Sequence, residues 1–306
     1  MSSYSRLSKA FCNAPILPLT PDTPYVIISD CHRGDGSWGD NFLKNQNLYF
    51  TALCHYYTHG FHYIELGDGD ELWENRSMSQ IIDIHSDVFW LMSKFYKEHR
   101  LHLLYGNHDM EKKNCRYSNK NCSSFFCTDT QCRENLFPGI IFYEALILHV
   151  PDSAKDFYLT HGHQADLFNS TLWKLTRFLV RYVWRPLEHF GILDPTSAAK
   201  NYVRKDFTEQ RLTSFALREK IHLITGHTHR PRLDAASPTY INSGSCVHPR
   251  CITCLEIEKE NVSLVKWSIG VKKDRSLFVE KTVLSSCSFQ EIFASASDQS
   301  STSFSK

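Results

Sequence analysis

The sequence predicts an α/β protein, with a core of alternating strands and helices and a second sheet packed on the first. Three observations predict it. Short apolar runs rich in β-branched residues recur along the chain and read as buried strands. Two helical stretches, about 41–58 and 77–98, separate the first three runs. Near the C-terminus, three strand-like runs follow one another with no helix between them.

In chain order, residues 1–24 read as an N-terminal extension and 25–283 as the core domain. The strands expected first are YVIIS (25–29), HYIEL (62–66) and RLHLLY (100–105). Asp40 and Ser77 stand where N-caps of the intervening helices belong. ALILHV (145–150), DFYLT (156–160) and IHLIT (221–225) continue the strand series. Residues 165–220 form a helical insertion, divided at Pro186 and at Gly191–Pro195. In its first half Lys174, Arg177, Arg181 and Arg185 share one helix face, and in its second Lys200, Arg204, Arg211 and Arg218 do. Such stripes read either as solvated basic faces or as a cap that holds an anionic, partly apolar substrate. TYIN (239–242), ITCLEIE (252–258) and NVSLVKWSI (261–269) are the expected strands of the second sheet, with a hairpin turn at Glu260-Asn261. Residues 284–306 hold nine Ser and read as a disordered tail.

Composition narrows the class. Lys and Arg number 34 against 33 Asp and Glu, a net charge of +1, which argues against a general nucleic-acid coat protein. No apolar run reaches the roughly 18 residues that span a bilayer. The N-terminus lacks the apolar stretch of a signal peptide. Eleven Cys is an odd number, unlike a secreted disulfide framework, so a reduced, cytoplasmic chain is expected. Cys115, Cys122, Cys127 and Cys132 read as free thiols or as a zinc group with unusual spacing; Cys246, Cys251 and Cys254 read as thiols in a strand region.

Five polar motifs follow predicted strands: Asp30-Cys31-His32, Gly67-Asp68, Gly106-Asn107-His108-Asp109, His161-Gly162-His163 and Gly226-His227-Thr228-His229. Ligands in open α/β sheets gather outside the carboxyl ends of strands, so these motifs are aimed at one crevice. Carboxylates, an Asn carbonyl and imidazoles form a mixed N/O donor set that suits Mn, Fe or Zn. A bridging carboxylate suits a two-metal hydrolase.

The order D-x-H, G-D, G-N-H-D, H-G-H, G-H-x-H resembles the calcineurin-like metallophosphoesterase superfamily over about residues 25–270. The resemblance implies a four-layer α-β-β-α sandwich of two mixed sheets, with residues 165–220 as a helical cap. It implies two divalent ions, Mn2+ first and Fe or Zn as alternatives. One would take Asp30, His32 and His229, the other Asn107, His161 and His227, with Asp68 bridging. His108 would approach the scissile phosphate as acid or charge stabiliser, and Asp109 would orient it. A metal-bridging hydroxide would attack phosphorus in line. His163 is placed as a substrate contact or behind the ligands. Arg33 reads as a phosphate contact or as a surface salt bridge.

Gly67-Asp68 followed by Glu71, Leu72 and Trp73, the GHTHRP stretch at 226–231 and the insertion after His161 resemble the UDP-2,3-diacylglucosamine pyrophosphatase branch. That implies cleavage of a phosphodiester or pyrophosphate bond in a UDP-sugar or lipid-linked substrate. Arg177 and Arg181 of the insertion would be substrate contacts, and the insertion would be the route for a peripheral membrane contact. His at position 108 is the residue of the broad phosphatase and phosphodiesterase branches, so a phosphomonoesterase such as a Ser/Thr protein phosphatase is the alternative.

Overall fold

The computed structural model describes residues 2–298, apart from 38, 128–129, 152–155 and 185–201. Helix α1 (Ser3–Phe11) and strand β1 (Ile16–Pro18) precede β2 (Tyr25–Ile28), α2 (Gln46–Thr58) and β3 (His62–Leu66). Next come α3 (Met78–Ile84), α4 (Ser86–Lys97), β4 (Leu101–Leu104) and α5 (Cys115–Asn121). Strands β5 (Ser124–Cys127), β6 (Cys132–Asn135), β7 (Phe142–Tyr143), β8 (Ala145–His149) and β9 (Asp156–Thr160) lead to the insertion. The insertion contributes α6 (Leu167–Ser170), α7 (Trp173–Leu179) and α8 (Tyr202–Glu219). The chain closes with β10 (His222–Thr225), β11 (Tyr240–Asn242), β12 (Cys251–Glu258), β13 (Asn261–Val271), β14 (Leu277–Ser288) and α9 (Phe289–Asp298).

Two mixed sheets result, one of seven strands in the order β14-β13-β12-β2-β3-β4-β7 and one of five in the order β1-β8-β9-β10-β11. Strands β2, β3, β4 and β7 run parallel, as do β9, β10 and β11. Side chains alternate across each strand, and both faces are covered, which is why these strands read as unbroken apolar runs. In β2, Val26 and Ile28 face the helical layer with Leu53, Ile81 and Phe89. Tyr25 and Ile27 face the other sheet, with Leu146, Leu159 and Ile224. On the outer face of the five-stranded sheet, Leu223 and Tyr240 pack against Leu7 of α1 and Leu212 and Phe215 of α8. The layers are therefore helix, sheet, sheet, helix.

Four expectations change. The runs at 252–258 and 261–269 do not build the second sheet; β12 pairs antiparallel with β2 and extends the first. The second sheet comes from β1 and β8–β11. The hairpin turn sits one residue earlier than expected: Glu258 pairs with Asn261, and Lys259 and Glu260 both take positive φ, 48° and 59°. Residues 284–298 are not a disordered tail: β14 runs to Ser288, and Phe289, Ile292 and Phe293 give α9 an apolar edge that joins the inter-sheet core. The N-terminal extension is likewise part of the fold, since β1 pairs in parallel with β8 and Leu7 and Ala10 are buried. Of the features expected in the insertion, Arg185, Pro186, Gly191–Pro195 and Lys200 lie outside the described residues. Among the described residues, no helix is long and apolar enough to cross a membrane.

Candidate metal centre and active site

Asp30 and His32 follow β2, Asp68 follows β3, and Asn107 and His108 follow β4, all from the seven-stranded sheet. His161 follows β9 and His227 and His229 follow β10, from the other sheet. The crevice is thus built at the carboxyl ends of strands from both sheets. Asp30, His32, Asp68, His227 and His229 all hold φ between 51° and 67°. Left-handed backbone costs a non-glycine residue about 1–3 kcal/mol. Five such residues in one crevice mean that the rest of the fold holds the chain against local preference to turn these side chains inward.

Their donor atoms converge. Asp30 Oδ1 lies 3.0 Å from His229 Nε2 and 3.9 Å from His32 Nε2. Asp68 Oδ2 lies 3.1 Å from His161 Nε2 and 3.8 Å from His32 Nε2. Among the described residues three compact donor groups emerge, Asp30/His32/His229, Asp68/His161/His227 and His32/Glu71/His108, each with its ligand atoms within 4.8 Å of one another. Asp30 Oδ1, Asn107 Oδ1, His161 Nε2 and His227 Nε2 are buried with no hydrogen-bond partner. Orphaned polar atoms at this density are costly unless a cation completes them. The donors are hard oxygens and imidazole nitrogens, so the set fits divalent ions.

A second ring of contacts aims these atoms. His161 Nδ1 donates to the Leu66 carbonyl at 2.9 Å, which leaves Nε2 to face the crevice. The backbone N–H of His227 donates to Asp30 Oδ2 at 2.9 Å, and that of His108 to Asp68 Oδ1 at 2.8 Å. Each carboxylate therefore has one oxygen fixed and one aimed inward. Burial opposes ionisation of Asp30, but His229 and His161 hold it well below the usual carboxylate range. Burial, then the neighbouring His161, push His227 down to about 4, so its imidazole is neutral and ready to ligate.

The structure gathers six of the seven expected ligands into these groups, and Asn107 is buried with its Oδ1 unpartnered next to His108, whose N–H bonds Asp68; several neighbouring assignments are corrected. His108 Nδ1 is paired with Glu71 at 2.8 Å, not with Asp109. Asp109 instead accepts from Gly106 N at 2.7 Å and Lys112 Nζ at 2.8 Å, pointing away from the imidazole. Glu71, to which the sequence reading gave no role, also meets His32 Nδ1 at 2.8 Å. Burial opposes its ionisation, and His108 and His32 overcome that to hold the carboxyl well below its ordinary value. Trp73 stacks on His108 with ring centroids 4.3 Å apart.

Arg33 is neither a phosphate contact nor a surface pair. It is fully buried, bidentate on Glu65 at 2.7 and 2.8 Å and bonded through Nε to Asp70 at 2.7 Å. Arg181 is spent on the carbonyls of Trp73, Leu72 and Asn75 at 2.7, 2.5 and 3.2 Å. Arg177 pairs with Glu111 and lies over Trp173. Both arginines tie the insertion to the core. His163 is buried beside His161, with ring centroids 5.6 Å apart, and its Nδ1 has no partner.

Residues 23–231 match the family model for calcineurin-like phosphoesterases. The chain belongs to this family. It is a metal-dependent phosphoesterase. Among solved structures, the phosphoesterase chain is similar to Vps29 of Chaetomium thermophilum, at 10% identity and a TM-score of 0.41, over 88% of this chain and 99% of that one. It is also similar to a cold-active protein tyrosine phosphatase, at 16% identity and a TM-score of 0.39, over 90% and 82%. A point mutant of a cold-active protein tyrosine phosphatase matches at 15% identity and a TM-score of 0.36, over 86% and 83%. No curated protein matches in sequence.

Proposed function

We propose that the chain hydrolyses a phosphodiester or phosphoanhydride bond with two divalent ions, Mn2+ foremost. The observation that carries this is the pair of adjacent donor groups Asp30/His32/His229 and Asp68/His161/His227 with their orphaned atoms, Asp68 Oδ2 lying 3.8 Å from His32 of the first and 3.1 Å from His161 of its own group. Asp30, His32 and His229 would hold one ion and Asn107, His161 and His227 the other, with Asp68 contributing to both; its Oδ1 accepts from the His108 N–H. Bound ions would supply Lewis acidity toward the phosphoryl oxygens and activation of water as nucleophile. His108, with a side chain 22% exposed at the crevice, would stabilise charge on the leaving oxygen or protonate it. Glu71 would fix its ring and favour its protonated form, and Trp73 would keep its plane in place.

A lipid-linked substrate, such as a nucleotide-linked acyl sugar, is supported by apolar side chains that the insertion leaves in solvent, among them Leu175, Phe178 and Phe207. The same surface would serve a peripheral membrane contact. The test is to load the apo protein with Mn2+, Fe2+ or Zn2+ and compare bis-p-nitrophenyl phosphate with p-nitrophenyl phosphate. Faster turnover of the diester is expected. Faster turnover of the monoester would replace this reading with a phosphomonoesterase. His108→Ala should cut turnover by about two orders of magnitude or more. Near-normal turnover on a substrate with a poor leaving group would remove His108 from the mechanism.

A further inference from the structure

Four cysteines lie between β4 and β7, Cys115, Cys122, Cys127 and Cys132, and the fold gives them different surroundings. Cys122 is buried, and Cys115 is exposed at the start of α5. Among the described residues, no group of three donors within reach of one ion includes a cysteine. Cys127 and Cys132 are placed for a different chemistry. Strands β5 and β6 pair antiparallel in the register Ser124↔Asn135, Phe125↔Glu134, Phe126↔Arg133 and Cys127↔Cys132. The two thiols therefore stand directly opposite one another on the same face. Residues so opposed hold their Cα atoms about 4.5–5.5 Å apart, inside the range of about 4.4–6.8 Å that a disulfide bridges. Cys132 is exposed and Cys127 half-buried, and Cys132 Sγ donates to Thr130 Oγ1 at 3.1 Å. The thiols of Cys31 and Cys246 also meet, but both are fully buried, out of reach of a dissolved reagent.

The hairpin is a sheet of two strands, paired to neither large sheet. Phe125 is buried in the core that Met78 and Ile81 of α3 share, while Phe126 is exposed. A two-stranded ladder is marginal without such packing, so a covalent tie at its last pair pins the register. We propose that Cys127 and Cys132 are a reversible redox site, oxidised to a disulfide by exchange with a low-molecular-weight disulfide. The thiolate of Cys132 attacks one sulfur of that molecule, its S–S bond breaks, and one small thiol leaves with the proton that Cys132 gave up. The thiolate of Cys127 then attacks Cys132 Sγ, and the second small thiol leaves with the proton of Cys127. Two protein thiols are oxidised by two electrons, and the small disulfide is reduced to two thiols. The closed loop is short and Cys132 lies at the surface, features of a labile bond rather than a structural one. The proposal stands apart from the phosphoesterase reading, whose residues all lie outside β5 and β6.

The test equilibrates the full, folded chain with a fixed concentration of glutathione and increasing glutathione disulfide. Free thiols are trapped with iodoacetamide and located by peptide mass spectrometry. A bond between Cys127 and Cys132 should be half-formed at about tenfold less glutathione disulfide, or lower still, than half-modifies Cys115, an exposed thiol with no cysteine opposite it. Dithiothreitol should restore both thiols. In Cys127→Ser, Cys132 should carry glutathione instead and should need about as much disulfide as Cys115. Three results overturn the proposal. One is a wild type in which Cys127 and Cys132 never join. Another is a bond that forms no more readily than Cys115 is modified. The third is a Cys127→Ser chain in which Cys132 is oxidised as readily as in the wild type. The first two are read on the wild type alone, so they decide the matter even if the variant does not fold.

Discussion

Glu71 sits between two imidazoles, His32 on the metal side and His108 on the substrate side, and a neutral replacement weakens both contacts. Glu71→Gln should lower turnover of p-nitrophenyl phosphate about 10- to 100-fold while the protein still binds metal. Turnover within twofold of wild type would show that neither imidazole depends on it. The ligands themselves were legible because each follows an apolar run and each is of a residue type that binds metal. Glu71 was hidden because its partner is 37 residues away and its role exists only once two loops meet. Arg33 was misread for the opposite reason. It adjoins a ligand in sequence, and its partners Glu65 and Asp70 are separated from it by a whole helix. One signal was available: Glu65 is a carboxylate between the apolar Ile64 and Leu66 of a buried strand, and a charge there requires a buried counter-ion.

Elements were legible where one period dominates. Strands β3 and β9 keep the limits that their apolar runs suggest. The second helical stretch is broken at His85, whose Nε2 reaches Asp40 at 2.9 Å and whose Nδ1 reaches Gln46 at 2.8 Å, so α3 and α4 part at a tertiary contact that periodicity does not record. Several arginines of the insertion's basic stripes are engaged with the protein where they are described, while Lys174 stays exposed. Arg204 lies over Phe168, Arg211 bonds the Ala165 carbonyl at 3.0 Å, and Arg218 lies over Tyr4. Arg181 is the firmest of these ties, with three carbonyls of the loop that carries Trp73. Arg181→Ala should cost about 2 kcal/mol, read as a fall in Tm of a few degrees, and should speed proteolysis within α6 and α7. Unchanged melting and unchanged cleavage would mean that the insertion is held by other contacts.

At the scale of the whole molecule, α1 and α9 both pack on the sandwich. Phe293 packs on Phe157 at 5.2 Å and on His222 at 4.9 Å between ring centroids. Phe293→Ala should cost about 3 kcal/mol, measured as a shift of the denaturant midpoint. An unshifted midpoint would detach α9 from the core. The serine-rich composition concealed this because three apolar residues, spaced to share a helix face, are enough to anchor a helix whose remaining positions are polar.

The sandwich also carries a pH dependence away from the metal centre. His62 and His102 stack at the amino ends of β3 and β4, with centroids 5.8 Å apart, and both are part-buried. Burial, with His62 adding a smaller effect, pushes His102 down to about 4. Its folded form therefore holds a proton less readily than its unfolded form, whose value lies near 6.5. Stability from this group is fully present above pH 6.5. It declines as pH falls toward 4, because the unfolded chain gains a proton that the folded chain refuses, and the loss levels off below 4. The full difference is about 3 kcal/mol at most. Metal-site histidines titrate in the same range, so the comparison is wild type against His102→Phe, in which their contributions cancel. Denaturant midpoints measured from pH 7.5 to 4 should show the wild type losing more stability than the variant, with the gap opening below pH 6.5. A gap that stays constant across that range would mean that His102 takes up its proton in the folded sheet without cost, and the burial argument for this end of the sandwich would fail.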